Sequence, residues 1–214
     1  MSFTIIECDQ RSADWYAARA GRLTGSAAAD AMRTIKSGAF STSRRDLRVR
    51  LALERITGMP QEEEFTTAAV QHGIDHEDGA LARYEAETGE ILERVGFLRH
   101  DVLMVGCSLD SFVCGRQGIV EGKAPKSATH MEYLRTRQIP TDYRWQCLHN
   151  MWVSGTDYCD FISYDPRFPD DLQYLCVRLN RDDKEIRAYE LSALRFLAEV
   201  AEEVDEINKL RKAA

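Results

Sequence analysis

The sequence predicts an α+β fold of the α/β/α type, with a central mixed, largely antiparallel sheet flanked by helices. Three observations support this prediction. Helical patterns fill most of the first ninety residues, and they begin at capping residues and stop at glycines. Short apolar runs typical of strands follow over residues 91–123 and 158–179. An amphipathic pattern over residues 185–210 then predicts a closing helix.

The whole-chain composition is that of an ordinary globular protein. The 214 residues are 44% hydrophobic and 29% charged, and one domain over residues 1–214 is the expectation. The first residues do not show the basic region followed by an apolar stretch that is typical of a signal peptide. No segment is apolar over a membrane-spanning length, so we expect a cytoplasmic protein that does not enter a membrane. Six cysteines lie scattered without a Cys-x-x-Cys pair, which argues against a zinc knuckle or a disulfide frame.

The charge is unevenly distributed. A net charge of −7 argues, taken alone, against a chain that coats itself in nucleic acid. Residues 11–55 nevertheless hold ten basic and four acidic side chains, whereas acidic residues concentrate at Glu62–Glu64 and over Glu199–Glu206. A basic N-terminal third is expected of a phosphate-binding face, and a solvated helix surface is the alternative on charge alone.

The first two predicted helices meet at a glycine-rich corner. Ser12–Arg19 is typical of a short capped helix, and a second helix opens at Thr24-Gly-Ser26. Arg19, Arg22 and the hydroxyls of Thr24 and Ser26 therefore converge near a helix N-terminus, where an anion is favoured. Simple N-capping by Ser26 is an equal alternative to a phosphate pocket.

Two longer helices are predicted next. Ser43 is expected to cap a helix that stops at Gly58, and the pattern over Thr66–Thr88 predicts another. Glu77 lies on a partly apolar stripe of this second helix. An inward-facing carboxylate needs a partner or a metal ion, whereas one at the edge of the stripe needs neither, so the pattern leaves both open.

The remaining elements alternate between strand and helix. Strands are predicted at Ile91–Leu92, Phe97–Leu98, Val102–Val105, Tyr158–Tyr164 and Gln173–Leu179, and helices at Thr129–Arg137, Tyr143–Gly155 and Glu185–Leu210, the last with Leu191, Leu194, Leu197 and Val204 facing inward.

A hairpin at Val105–Lys126 is the centre of the predicted chemistry. If Gly115 and Gly118 pair across a two-residue turn, Asp110 faces Lys123, and Phe112 faces Glu121. Side chains alternate between faces, so the two acids and the lysine share one face, with the two carboxylates on diagonal neighbours about 7–8 Å apart. Such a face predicts a metal site in outline. A turn-starting Asp and an exposed Glu/Lys pair remain the alternative for this motif in isolation.

An ordered set of motifs lies around this hairpin. The set comprises Arg19-Ala-Gly-Arg22-Leu-Thr-Gly-Ser26, Gly73-x-x-x-Glu77-x-x-Ala80-x-x-x-Tyr84, Ser108-Leu-Asp110, Glu121-Gly-Lys123-Ala-Pro125, Tyr143-x-x-Gln146 and Asp160-Phe-x-x-Tyr164. With these motifs the chain resembles the phage-type recombination exonucleases of the lambda exonuclease or YqaJ family, within the PD-(D/E)xK superfamily. The resemblance implies a restriction-endonuclease-like nuclease core.

Two positions depart from the family pattern. Leu109 stands where the superfamily name expects Pro, which is a turn residue rather than a ligand. Gly122 stands where the family often has an aliphatic residue, and it leaves the backbone carbonyl available to a metal ion.

The resemblance also implies roles for individual residues. Asp110, Glu121 and the Gly122 carbonyl would bind Mg²⁺, for which Mn²⁺ can substitute, and Glu77 would help bind a second ion. Lys123 would position the attacking water or neutralise developing charge, and Gln146 would orient Lys123 or the scissile phosphate. Arg19, Ser26, Ser108 and Arg22 correspond to the family's pocket for a 5′-phosphate.

The implied activity is Mg²⁺-dependent 5′-to-3′ degradation of one strand at the ends of double-stranded DNA, in a prokaryotic or phage-encoded protein. It leaves a 3′ overhang for a single-strand annealing protein, and family members form homotrimeric rings threaded by DNA. The alternatives are another PD-(D/E)xK endonuclease and a catalytically silent DNA-end-binding protein. A Cas4-like iron–sulfur nuclease does not fit, because Cys147, Cys159 and Cys176 are too widely spaced.

Overall fold

The structure, a computed structural model, describes residues 2–61 and 68–213. The acidic run Glu62–Glu64 and the first two residues of the helix predicted from Thr66 lie outside these ranges. The helices are α1 (Ala13–Arg19), α2 (Ala28–Met32), α3 (Thr42–Thr57), α4 (Ala68–Thr88), α5 (Ser127–Thr136), α6 (Thr141–Ser154) and α7 (Asp183–Ala213). The strands are β1 (Phe3–Ile6), β2 (Leu23–Thr24), β3 (Leu92–Glu93), β4 (Phe97–His100), β5 (Val105–Ser108), β6 (Ser111–Val113), β7 (Gly118–Lys123), β8 (Tyr158–Tyr164) and β9 (Tyr174–Asn180), with short 3₁₀ turns at Gly25–Ala27 and Asp170–Leu172.

The described strands form two mixed sheets. The first has the order β1-β4-β5-β2 and is antiparallel except between β5 and β2. The second has the order β3-β6-β7-β8-β9 and is antiparallel except between β7 and β8. The predicted class, a mixed and largely antiparallel α+β fold flanked by helices, is therefore confirmed. The strands are divided between two sheets, however, rather than joined in one central sheet.

The two sheets separate within one extended stretch of chain. Strand β5 ends at Ser108 in the first sheet, and β6 begins at Ser111 in the second. Leu109 lies between them and is buried in the main hydrophobic core, which holds the chain at the crossing point. The next residue, Asp110, consequently lies at the junction of the sheets.

Helices cover both faces of the second sheet. Ile119 and Phe161 belong to the larger core, which also contains residues of α6 and α7, whereas their neighbours Val120 and Ile162 pack with α4. This alternation is the period of two expected of strands that are buried on both faces. Helix α6 is buried over Cys147–Val153, so it lies inside the protein rather than on its surface. In the described part of the chain, no helix has both the length and the apolar character needed to cross a membrane.

The central hairpin adopts a register two residues away from the predicted one. Phe112 pairs with Ile119, not with Glu121 as predicted. Because the difference is an even number of residues, every side chain keeps its predicted face. The shift places Asp110 across from Glu121 instead of Lys123, so the two carboxylates are opposite rather than diagonal neighbours.

The turn of this hairpin explains the shift. The Arg116 N–H donates to the Val113 carbonyl at 2.8 Å, so the chain reverses earlier than the predicted turn at Arg116 and Gln117. Gly115 has a φ of 88°, a left-handed conformation that glycine adopts without strain. The glycine thus sits inside the turn, whereas the prediction used it as a pairing residue.

Three local predictions were wrong in detail. The N-cap of α3 is Ser41, whose hydroxyl accepts the Arg44 N–H, and Ser43 lies within the first turn. Residues 101–104 form a loop, and the strand predicted at 102–105 runs instead over Val105–Ser108. Leu191 of α7 is 54% exposed, because it lies about 200° around the helix from the buried Tyr189.

A buried carboxylate joins α4 to the second sheet. Asp160 of β8 accepts hydrogen bonds from the Tyr84 hydroxyl at 2.8 Å and from Arg178 Nε and Nη2 at 2.8 and 2.7 Å. Tyr84 and Asp160 are both buried, so water cannot replace the bonds between them. The Asp160-Phe-x-x-Tyr164 motif therefore has a structural role at its first position.

We expect Asp160→Ala to lower the free energy of unfolding by about 2–4 kcal/mol, because it leaves the Tyr84 hydroxyl buried without a partner. Urea denaturation measures this change. The control is Asp170→Ala, which removes an exposed carboxylate paired with Arg83 and should have little effect. Equal losses in the two variants would contradict the structural role of Asp160.

Candidate active site

Asp110 and Glu121 bring two carboxylates to the junction of the sheets. Asp110 Oδ2 accepts the backbone N–H of Gly122 at 2.6 Å, which fixes its side chain against β7. Glu121 is fully buried within β7, between β6 and β8. Asp110 lies in the break after β5 and is not part of a strand. Beside it, β7 continues past its pairing with the short strand β6, so the Gly122 N–H is available to Asp110.

Both oxygens of Glu121 are held by nitrogen donors. Gln146 Nε2 donates to Oε1 at 2.6 Å, and Asn150 Nδ2 donates to Oε2 at 3.0 Å. Gln146 and Asn150 are four residues apart, so they lie on the same face of α6. Lys123 Nζ also contacts Oε1 closely. These donors compensate for the water that the buried carboxylate has lost.

Lys123 is a cation on the same face. Its ammonium forms an ion pair with Glu121 and lies 5.1 Å from the centre of the Tyr143 ring. Burial alone would lower the pKa of Lys123, but the charges of Glu121 and Asp110 outweigh burial and raise it. In this arrangement the two carboxylates therefore favour the charged form of Lys123.

The carboxylates lie in surroundings that oppose their ionisation. Burial, followed by the charge of Glu121, raises the pKa of Asp110 to about 7. Burial and the charge of Asp110 likewise raise the pKa of Glu77, which forms a 3.5 Å ion pair with Arg11. Neighbouring acids that repel one another are stabilised by a bound cation, because it favours their charged forms.

The donor set fits a hard divalent cation that is completed by other ligands. Asp110, Glu121 and Glu77 supply carboxylate oxygens, which suit Mg²⁺. In residues 2–61 and 68–213, no group of three or more acidic, His or Cys side chains is close enough to hold a metal ion by itself. Magnesium sites commonly keep several waters and substrate phosphate oxygens in the coordination shell, so such a group is not required.

Arg19 forms a second cluster next to this centre. Its Nη2 donates to Ser26 Oγ at 3.2 Å and its Nη1 to Ser108 Oγ at 3.4 Å. The guanidinium stacks 4.0 Å from the centre of the Trp15 ring, and Trp15 Nε1 donates to Ser108 Oγ at 2.8 Å. Ser108 lies two residues before Asp110. The Arg19, Ser26 and Ser108 cluster therefore adjoins the carboxylates, and we call it the Arg19 corner.

The structure does not show the N-capping alternative for Ser26. The residue at the N-cap of α2 is Ala27, and the Ser26 hydroxyl contacts Arg19 and Thr24 Oγ1 instead. A cation flanked by hydroxyl groups is an arrangement that can bind a terminal phosphate.

Arg22 does not join this cluster. Its Nη1 donates to the Leu103 carbonyl at 3.3 Å, and burial followed by the nearby Arg99 lowers its pKa. The prediction that Arg22 converges with Arg19 was therefore wrong. Two guanidinium groups repel each other where no anion lies between them, and the carbonyl offers Arg22 an acceptor elsewhere.

Sequence reasoning missed three residues that build the site. Asn150 donates a hydrogen bond to Glu121, and Trp15 donates one to Ser108. Gly25 packs against Asn150. The spacing of Asn150 from Gln146 was an available signal, since residues four apart on a helix share a face. Trp15 and Gly25 carry no comparable signal, because their contacts join segments far apart in the sequence.

We expect Gly25→Ala to destabilise the protein by about 1–3 kcal/mol, because the new methyl group would lie 2.2 Å from Asn150 Oδ1. Urea denaturation measures the loss. Gly73→Ala in α4 is the matched control: its methyl group meets nothing within 4 Å, so stability should be unchanged or higher by about 0.5–1 kcal/mol. A Gly25→Ala protein as stable as the wild type would show that Asn150 is not tightly packed.

Comparisons with known proteins agree on one family. An alkaline exonuclease from Laribacter hongkongensis is 38% identical, with a TM-score of 0.85, and the match covers 95% of this chain and 100% of that chain. The structure of that exonuclease, LHK-Exo, in complex with dAMP matches equally well, with the same identity, coverage and TM-score. A phage-related exonuclease from Haemophilus somnus 129PT has a TM-score of 0.70 over 87% of this chain and 96% of that chain, but at 13% identity it shows the fold alone.

The sequence-based comparisons complete this result. The search of curated proteins gave no significant match. The family model of the YqaJ-like viral recombinase domain matches residues 14–157, a stretch that contains the Arg19 corner and the residues around Glu121. The chain belongs to the YqaJ-like viral recombinase domain family.

Proposed function

We propose that this chain is a Mg²⁺-dependent exonuclease that degrades the 5′-ended strand of double-stranded DNA and leaves a 3′ overhang. The observation that carries the proposal is the buried Asp110, Glu121 and Lys123 face, which lies beside the Arg19 corner. Family membership and the 38% identity to an alkaline exonuclease support DNA degradation from an end. The dAMP bound by LHK-Exo belongs to the class of product that this reaction releases.

Asp110, Glu121, the Gly122 carbonyl and Glu77 would together hold two Mg²⁺ ions, which Mn²⁺ could replace. When bound, such ions activate a water molecule and stabilise the leaving oxygen of an in-line displacement. Asp110 and Glu121 supply the negative charge that retains the ions. The Gly122 N–H keeps the Asp110 carboxylate in one orientation.

Lys123 acts on the scissile phosphate, and Gln146 acts through Glu121. The Lys123 ammonium neutralises the charge that develops on the phosphate oxygens during displacement. Gln146 and Asn150 restrain Glu121 through one hydrogen bond each, so the carboxylate keeps its position as charge moves. Asn150 is a positioning residue, since it acts through Glu121.

The Arg19 corner accounts for polarity. A terminal 5′-phosphate bound by Arg19, Ser26 and Ser108 places the adjoining phosphodiester near Asp110, two residues further along the chain. A nuclease that holds the terminal phosphate beside its catalytic centre cuts from the end inward.

The proposed partners follow from family membership. We propose that the substrate is the end of a DNA duplex, that three copies form a ring around it, and that a single-strand annealing protein takes up the overhang. A ring would allow a subunit of net charge −7 to direct its basic residues 11–55 toward the DNA and its acidic residues outward.

We expect wild-type protein to release nucleotides from linear duplex with 5′-phosphate ends in Mg²⁺, and EDTA to stop the release. Lys123→Ala should reduce the rate by roughly 10²–10³-fold, because it removes the charge next to the reacting phosphate. Lys184→Ala, at an exposed position in the first turn of α7, is the matched control and should retain the wild-type rate. Acid-soluble nucleotide release measures all four reactions.

The same assay separates the alternatives. Equal digestion by wild type and Lys123→Ala would remove Lys123 from the mechanism. Cleavage of covalently closed circular DNA would favour an endonuclease, and binding of ends without any digestion would favour a catalytically silent protein.

We expect Arg19→Ala to weaken the preference for 5′-phosphate over 5′-hydroxyl ends by about 10–100-fold, because it removes a charge-assisted contact with the terminal phosphate. Competition between the two labelled duplexes measures the preference. Arg22→Ala is the control, since its guanidinium contacts Leu103, and it should leave the preference intact. An unchanged preference in Arg19→Ala would assign the reading of the end to another part of the protein.

A further inference from the structure

Two cavities meet at Asp110 and Glu77, and they differ in charge. One, of about 770 Å³, is lined among the described residues by six acidic and two basic side chains. The other, of about 700 Å³, is lined by four basic and two acidic side chains in the same part of the chain. A DNA strand that leaves the catalytic centre is repelled by the first cavity and attracted by the second, which we call the basic cavity.

Arg167 lies in the wall of the basic cavity and is held in place by a buried carboxylate. Asp165 accepts Arg167 Nε at 2.7 Å, Nη2 at 2.9 Å and the backbone N–H at 3.0 Å. Asp165 is fully buried, whereas the Arg167 side chain is 52% exposed. Burial raises the pKa of Asp165, but hydrogen bonds from Arg167 lower it further, to about 2, so the acid remains charged.

The turn itself does not require a guanidinium at this position. The turn after β8 needs an N–H donor to Asp165 Oδ1, and the backbone of almost any residue at position 167 would supply it. The guanidinium compensates the buried charge of Asp165, and its Nη2 also contacts His72 Nε2 and the Pro125 carbonyl, each at 3.3 Å. About half of the side chain stays exposed, so it also presents a fixed cation at the cavity wall. An arginine restrained in this way loses little side-chain freedom when it binds a phosphate.

The position of Arg167 follows from the parallel pair β7 and β8. Lys123 pairs with Ser163, so Pro125 and Asp165 each lie two residues beyond this pair, just past the ends of β7 and β8. Arg167 Nη2 contacts the Pro125 carbonyl at 3.3 Å. Arg167 and Asp110 line the same cavity of about 700 Å³, which has room for about one or two nucleotides beyond Asp110.

The direction along the strand follows from the two sheets. The Arg19 corner is built at the end of β5 in the first sheet, and Arg167 lies beyond β7 and β8 in the second, with Asp110 at their junction. If the terminal phosphate occupies the Arg19 corner and the bond near Asp110 is cut, the basic cavity that Asp110 and Arg167 both line is the path that attracts the rest of the strand.

We infer that Arg167 binds a backbone phosphate of the degraded strand on the 3′ side of the scissile bond, one or two nucleotides from it. This inference rests on the proposed function, and it deepens it by adding a second phosphate-binding position across the catalytic centre from the first. The strand is then held at both sides of the bond that is cut.

Neutralising single phosphates with methylphosphonates tests the contact. Binding is measured in a Lys123→Ala background, in which digestion should be roughly 10²–10³-fold slower than in the wild type. The duplexes carry one neutral linkage at each of the first four positions of either strand. One position in the 5′-ended strand, within two nucleotides of the scissile bond, should weaken binding by about 10–100-fold. The unmodified duplex should bind Arg167→Ala more weakly by a similar factor. For this variant, the neutral linkage at that position should not weaken binding any further.

The salt dependence gives a second readout that a structural role would not change. The slope of log K against log salt concentration should fall by about 0.9 in Arg167→Ala and remain unchanged in Arg167→Lys. Arg187→Ala removes a similarly exposed arginine paired with Glu190 on α7, and it should leave the slope unchanged. If Arg167→Ala does not fold, Arg167→Lys takes its place in the binding assay. Lysine keeps a positive charge next to Asp165 but lacks the planar guanidinium group.

Three outcomes would overturn the inference: coupling only to a linkage in the complementary strand, coupling at no position, or an unchanged salt slope in Arg167→Ala. Failure of the proposed function has a different signature, because an inactive wild-type protein can still bind DNA ends in this assay.

Discussion

The full burial of the Glu121 carboxylate is the constraint on which the rest of this structure depends. A charge without access to water must be surrounded by donors, and here these come from Lys123 on the same strand and from Gln146 and Asn150 on α6. Helix α6 must therefore run through the interior, which is why its residues from Cys147 to Val153 are all buried. The carboxylate and the helix position each other.

The division into two sheets gives the site its second half. A single continuous sheet would pair Asp110 within a ladder, whereas the break at Leu109 leaves Asp110 free to accept the Gly122 N–H. The same break places Ser108 at the end of the first sheet, where it meets Arg19 and Trp15. The proposed anion site and the proposed cation site thus lie on either side of one short stretch of backbone.

The sequence predicted the classes of element and the shared face of Asp110, Glu121 and Lys123, because side-chain alternation does not change when a register shifts by two residues. It misplaced the turn, since the left-handed φ of Gly115 follows from the backbone and not from composition. It also placed Arg22 in the corner, where the structure shows a contact with Leu103. The role of Gly25 was beyond its reach, because the contact with Asn150 joins residues far apart in the sequence, whereas the spacing of Asn150 from Gln146 offered a signal that was not used.

The contact between Gly25 and Asn150 links the two halves of the site mechanically. Gly25 lies between Thr24 and Ser26 in the Arg19 corner, and Asn150 holds the carboxylate of Glu121. If the corner binds a terminal phosphate as proposed, any displacement of the corner would press on the side chain that restrains Glu121. In related proteins, a larger residue at position 25 should be accompanied by a smaller one at position 150, so that the two positions vary together.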